Sequence, residues 1–257
     1  MTTALVTGAT AGIGREFAIQ LAARGHDLVI VARDVERLEE LAVELRRERG
    51  VQVEVLPADL ADREAVARVA ARVGDAQAPV DILVNNAGFG MRTSFLENDL
   101  AAEEGMFDVL CRAVLVLSHS AGRAMKARGH GRIINVSSVA SFIASGTYSA
   151  AKSWVTVFSE GLAGELAGSG VTVTALCPGF VRTEFHERAQ IRDDAFPDFL
   201  WLDAPSLVRD CLEDVDQGKV ISVPSLTYKA MTTALKVVPR RFVRSGGVVT
   251  RHRPPPR

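Results

Sequence analysis

ALVTGATAGIG, residues 4–14, decides how the rest of the chain is read. A short apolar run ends at Thr7 and passes through Gly8, Thr10, Ala11, Gly12, Ile13 and Gly14 into REFAIQLAARG, whose apolar residues recur at helical spacing and stop at Gly25. Glycines let the backbone turn tightly. They also let a dinucleotide pyrophosphate approach the helix N-terminus, where unpaired N–H groups and the helix dipole favour an anion. A glycine triplet alone says little, and a tight turn without a ligand is the alternative. What makes G-x-x-x-G-x-G informative is its position between a first strand and a helix.

Outward from this turn, apolar, mostly β-branched runs recur at 4–8, 28–32, 53–58, 81–88, 132–138, 171–179 and 220–224. Segments of helical period lie between them at 12–24, 34–49, 62–74, 99–128, 148–167 and 204–216. The strand runs are nearly continuous in apolar residues instead of alternating, as expected of strands covered on both faces. The alternation predicts an α/β fold, a doubly wound, Rossmann-type, seven-stranded parallel sheet in a single domain. With 257 residues, 47% of them hydrophobic and 24% charged, the chain can bury one large core. Residues 1–225 are expected to form the dinucleotide-binding domain and 226–257 a C-terminal extension.

The second strand ends in Val31-Ala32-Arg33-Asp34. An acid ending this strand would bond the ribose hydroxyls of NAD, whereas a small residue followed by Arg offers room and charge for a 2′-phosphate. Arg33 therefore favours NADP(H). Asp34 reads as the N-cap of the helix VERLEELAVELRRE, and its use as a ribose-binding acid, which would favour NAD, is the alternative.

Composition excludes several classes. Cys111, Cys177 and Cys211 are odd in number and without a C-x-x-C, against a disulfide framework and in keeping with a reducing compartment. His26, His119, His130, His186 and His252 show no metal-ligand spacing, so no metal site is assigned. The opening MTTALVTG lacks the charged and apolar regions of a signal peptide, and no window approaches the ~20 apolar residues of a membrane span, so a cytoplasmic protein is expected. The net charge of −1 hides nine Lys and Arg, and no Asp or Glu, in residues 219–257, which leaves −10 on residues 1–218. No nucleic-acid motif accompanies the basic run.

Over residues 3–225 the chain resembles the short-chain dehydrogenase/reductase family. Thr7-Gly8-x-x-x-Gly12-x-Gly14 matches its cofactor turn, Asn85-Asn86-Ala87-Gly88 the motif closing its fourth strand, and Ser138 in NVSS its active-site serine. Tyr148-x-x-x-Lys152 matches its catalytic pair. The resemblance implies that Asp59 in PADL contacts the adenine with Leu60 beside it, that Asn86, Ala87 and Gly88 border the cofactor, and that Pro178-Gly179, Val181 and Thr183 hold the nicotinamide end. It also implies oxidoreduction of a ketone or aldehyde and an alcohol, with a softer likeness to enzymes of hydrophobic ketones, acting as a homo-oligomer.

The residues themselves support that chemistry. Reduction of a carbonyl needs a hydride at carbon, which the cofactor supplies, and a proton at oxygen, which the protein supplies. Tyr148 and Lys152, at i and i+4, share one helix face. An ammonium nearby favours a phenolate, so Tyr148 can act as acid in one direction and base in the other, with Ser138 holding the substrate oxygen. Tyr148 and Lys152 are counted in the cofactor site as well. An isolated Tyr-x-x-x-Lys is commonly a surface pair, and a strand-ending Ser commonly a cap; it is the combination after a glycine turn that points to catalysis.

One departure stands out. Where the family has a fourth catalytic residue, an Asn whose backbone holds a water linking the Lys to solvent, this chain has Leu110. Leu cannot replace the side chain, although a carbonyl freed by a helix distortion would not depend on residue type. The departure motivates a second reading, a catalytically weak or inactive NADP(H)-binding sensor.

Residues 182–205 form a long connection containing Phe185, Phe196, Phe199, Leu200 and Trp201. A lid over an apolar pocket is one reading, and aromatics packed on the core or on a neighbouring subunit the other. After the last strand, Leu226, Ala230, Leu235, Val238 and Phe242 alternate with Lys229, Lys236, Arg240, Arg241 and Arg244. Such a basic amphipathic helix is expected to pack on the protein, with peripheral contact to an anionic membrane as the alternative, and the closing RHRPPPR is expected to be disordered.

Overall fold

In the computed structural model, which describes residues 2–91, 95–182, 197 and 200–237, the apolar runs pair as one parallel sheet. In chain order the elements are β1 (Thr3–Thr7), α1 (Gly12–Ala23), β2 (Asp27–Ala32), α2 (Val35–Arg49), β3 (Val53–Pro57), α3 (Arg63–Val73) and β4 (Ile82–Asn85). Then follow α4 (Leu100–Phe107), a π-helical segment (Asp108–Arg112), α5 (Ala113–Arg128), β5 (Gly131–Val136) and a 3-10 turn (Val139–Phe142). The chain continues with α6 (Gly146–Glu165), β6 (Val171–Leu176), β7 (Phe180–Val181), β8 (Trp201–Leu202), α7 (Ala204–Asp216), β9 (Ile221–Ser222) and α8 (Leu226–Val237).

The seven strands of the main sheet lie in the order β3-β2-β1-β4-β5-β6-β9, and β7 and β8 form a separate pair. Val6 registers with Ile30 on one side and Val84 on the other. The chain works outward from β1 to β3, then returns to place β4 at β1's other edge, so a crevice opens beyond the carboxyl ends of β1 and β4. Successive side chains of one strand feed opposite layers, as strand geometry requires. Ala4 and Val6 pack with Phe17, Leu38 and Leu207 of α1, α2 and α7, while Leu5 packs with Val66, Val69 and Leu117 of α3 and α5. The predicted fold is thus the observed one.

Local signals set most helix starts. Asp34 accepts from the Arg37 amide (3.1 Å), Asp62 from those of Glu64 and Ala65, and Asp203 from that of Ser206. Differences from the sequence expectation have local causes. The helix expected over 99–128 is interrupted at Asp108–Arg112, where the Ala113 amide reaches back five residues to the Asp108 carbonyl. The helix expected from 148 begins at Gly146, whose φ of 72° only glycine adopts readily, so Tyr148 sits in its first turn. The last strand shrinks to two residues at the sheet edge. Among the described residues, no helix is long and apolar enough to cross a membrane.

Candidate active site

The glycine turn is built against the end of β4. Thr7 Oγ1 donates to the Val84 carbonyl (3.2 Å) and accepts from the amides of Asn86 (2.9 Å) and Ala87 (3.1 Å). Asn86 Nδ2 donates in return to the carbonyls of Thr7 (2.9 Å) and Gly8 (3.3 Å). Gly8 and Gly12 hold φ of 66° and 52°, and a Cβ on Gly14 would overlap the Gly8 carbonyl and the Asn86 amide. Ala11 stands at the N-cap of α1 and offers no side-chain hydrogen bond, so Thr10, Ala11, Gly12 and Ile13 surround a helix N-terminus that lacks a side-chain cap. A cradle that a Cβ would fill, ending in uncapped amides, fits a pyrophosphate.

Around this cradle, Arg33 is exposed just beyond β2, and Asp34 caps α2. Asp59 is exposed after β3, its carboxylate accepting from the Ala61 amide (3.0 Å), with Leu60 buried beside it.

The polar side chains collect at the end of β5. Ser138 Oγ accepts from the Ala140 amide (3.1 Å), capping the 3-10 turn. The Tyr148 phenol lies in hydrogen-bonding reach of Ser138; burial pushes its pKa up to about 12, and the Ser138 contact opposes that rise. Lys152 is only 5% exposed and donates from Nζ to the Val136 carbonyl (2.7 Å), its Nζ 5.8 Å from the Tyr148 ring centroid. Burial lowers its pKa to about 8, with the neighbouring Cys111 and Cys177 pulling the other way. Burial is therefore the largest influence on both members of the pair.

Leu110 lies inside the π-helical segment, fully buried with Met106, Cys111 and Ala151 and against Met91, Tyr148 and Trp154. A Cβ on Gly88 would stand 2.6 Å from Leu110 Cδ2 and 3.8 Å from Lys152 Nζ, so Gly88 is what lets this apolar wall close on the lysine. The helix distortion thus exists without an Asn.

Pro178 and Gly179 follow β6, and the Pro178 carbonyl accepts from the Val139 amide (2.9 Å), tying this segment to the turn after Ser138. Val181 is buried in β7. Thr183, like Phe185, His186, Phe196, Phe199 and all residues from 238 onward, lies outside the described residues. Of the connection's aromatics that are described, Trp201 packs at 5.7 Å on Phe180 and carries the Arg182 guanidinium 5.6 Å above its ring.

Several supporting contacts escaped the sequence reading. Ser137 Oγ donates to the Lys152 carbonyl (2.8 Å) and meets Thr156 Oγ1 (2.7 Å), fastening α6 to β5. Asn85 Nδ2 donates to Ser118 (3.1 Å) and Asn135 (2.9 Å), and Asn135 Nδ2 to Ser159 (2.9 Å), a fully buried polar chain across two strands and two helices. The one signal was an Asn ending DILVN and another within RIINV, each polar in an apolar strand. Glu103 of α4 is also buried; its carboxylate accepts from Asn98 (2.5 Å) and from Thr147 (2.7 Å), the residue before Tyr148.

Known proteins similar to this chain share its fold. A family profile described as short chain dehydrogenase matches residues 2–194. Galactitol 2-dehydrogenase (L-tagatose-forming) from Cereibacter sphaeroides is 37% identical over 211 residues, 80% of this chain and 81% of the relative. A solved short-chain dehydrogenase from Sphingobium yanoikuyae in complex with NADPH superposes with a TM-score of 0.85 at 36% identity, covering 92% of each chain. The bulky-bulky ketone specific alcohol dehydrogenase from Comamonas testosteroni superposes with a TM-score of 0.80 at 29% identity, covering 93% of this chain and 96% of that one.

Proposed function

Because the chain belongs to the short-chain dehydrogenase/reductase family, we propose that it is an NADP(H)-preferring oxidoreductase interconverting a hydrophobic ketone or aldehyde and its alcohol. The observation that carries this reading is the convergence of Ser138, Tyr148 and Lys152 at the end of β5, on the same sheet edge as the glycine cradle of β1 and separated from it by β4. In it, the amides of the Gly8–Gly14 turn hold the pyrophosphate, Arg33 pairs with the 2′-phosphate, and Asp59 and Leu60 border the adenine. Asn86, Ala87 and Gly88 line the middle of the dinucleotide, and Pro178, Gly179, Val181 and Thr183 its nicotinamide end.

The nicotinamide supplies or accepts the hydride when bound. Ser138 donates to the substrate oxygen and fixes it beside Tyr148, which gives it a proton in reduction and takes one in oxidation. Lys152 stabilises the phenolate left behind, and the Val136 carbonyl keeps its ammonium in place. Lys152 and the cation of an oxidised cofactor would both favour the phenolate, against the burial that raises the phenol. The likeness to a bulky-bulky ketone specific alcohol dehydrogenase supports an apolar substrate. A homo-oligomer is part of the same reading. The protein is read as cytoplasmic, and membrane contact through the extension is kept as an alternative.

The second reading, a weakly catalytic NADP(H) sensor, is favoured by one observation, the apolar wall that Leu110 and Met106 build beside Lys152. NADPH oxidation against aliphatic, acyl and steroidal ketones, with Tyr148→Phe as the paired control, separates the two. Turnover lost in the variant is expected; tight NADPH binding with no turnover on any ketone would move the sensor ahead.

A further inference from the structure

The basic extension does not simply trail from the sheet. Tyr228, in the first turn of α8, is 1% exposed and packs among Cys177, Val223, Val139, Phe142, Phe180 and Leu200. Its ring occupies the space a Cβ on Gly179 would need. Its hydroxyl accepts from the Phe180 amide (3.1 Å) and donates to the Leu200 carbonyl (2.7 Å). One side chain therefore holds the backbone that leaves β6 and the backbone that enters β8. The first of these is bonded to the turn after Ser138 through the Val139 amide and the Pro178 carbonyl.

A second feature points the same way. Ser225, which turns the chain into α8, has φ of 95° and is the one non-glycine residue at positive φ among the described residues. Backbone held in such a region persists only where the surrounding packing over-determines it. Here the turn brings α8 back over the carboxyl ends of β5 and β6, the side of a doubly wound sheet where ligands bind.

We propose that Tyr228 is a positioning residue for the reacting end of the dinucleotide: it sets Pro178, Gly179 and Phe180 against the Ser138 turn and makes the C-terminal extension part of the site. The proposal rests on the NADP(H) reading given above. The glycine cradle lies three strands away at β1, so the effect of Tyr228 is confined to the nicotinamide half and spares the adenosine half.

Tyr228→Phe keeps the ring and removes the hydroxyl. Calorimetric titration of wild type and variant with NADPH, and separately with adenosine 2′,5′-bisphosphate, is paired with hydrogen exchange at the Phe180 amide. The expected result is NADPH binding weakened about fivefold or more, the size of a lost hydrogen bond, with bisphosphate binding unchanged and exchange at Phe180 accelerated. Unchanged NADPH affinity overturns the proposal, whether or not exchange accelerates. Equal weakening of both ligands overturns it too, because the effect would then be global. A wild-type protein that binds neither ligand overturns the NADP(H) reading itself, and the proposal with it.

Discussion

An ammonium moved from water to the position of Lys152 loses its hydration, and the single carbonyl at 2.7 Å returns only part of that loss. The folded pKa of about 8 consequently lies below the ~10.4 of an unfolded lysine. Between these values the unfolded chain holds a proton that the folded chain lacks, so stability rises with pH through this window. Tyr148 has the opposite sign, its folded pKa of about 12 lying above the ~10 of a free phenol, and stability falls as pH climbs beyond ~10. Urea denaturation from neutral to alkaline pH is expected to show the rise in wild type and to lose it in Lys152→Met. A slope that survives in the variant would assign it to another group. Ser138, Tyr148 and Lys152 were legible because a strand end and an i,i+4 spacing are local facts. Ser137 and Thr156 were not, because they matter only once α6 packs on β5.

The long segment before β5 carries a related lesson. Its apolar pattern reads as one helix, yet it holds a π-helical segment at Asp108–Arg112 with Leu110 inside. Helical periodicity in a sequence does not register one residue inserted into a turn, since the apolar positions on either side still find cores to enter. Single π-type turns recur at functional sites, and this one forms where the family's Asn is replaced. Since the distortion is already present, Leu110→Asn is expected to leave ketone turnover unchanged and to cost ~2–4 kcal/mol in chemical denaturation, from lost packing and a buried amide among apolar neighbours. A large gain in turnover would show instead that the missing side chain limits the rate. α8 teaches the converse: an amphipathic pattern announces a helix, but not that its Tyr228 ring would seat on Gly179.

Across the fold, the crevice between β1 and β4 gathers residues from six strand ends, and any ligand held there is linked to global stability. At one hundred times its Kd, a ligand that binds only the folded state adds ~2.7 kcal/mol. NADPH is therefore expected to raise the melting temperature more than NADH at equal concentration, and scanning calorimetry checks it. Equal shifts would remove Arg33 as a selector and return Asp34 to consideration. Sequence alone determined the parallel sheet, the glycine turn and the placing of Ser138 at a strand end with Tyr148 and Lys152 on one helix face, because each is written in local periodicity, glycine placement or short spacing. Tertiary structure decided that the buried chain Asn85–Asn135–Ser159 crosses the core, that Gly88 admits Leu110 to the side of Lys152, and that Tyr228 closes over the Pro178–Phe180 backbone. These depend on which distant surfaces meet, and contact between residues tens of positions apart leaves no periodic trace in the chain.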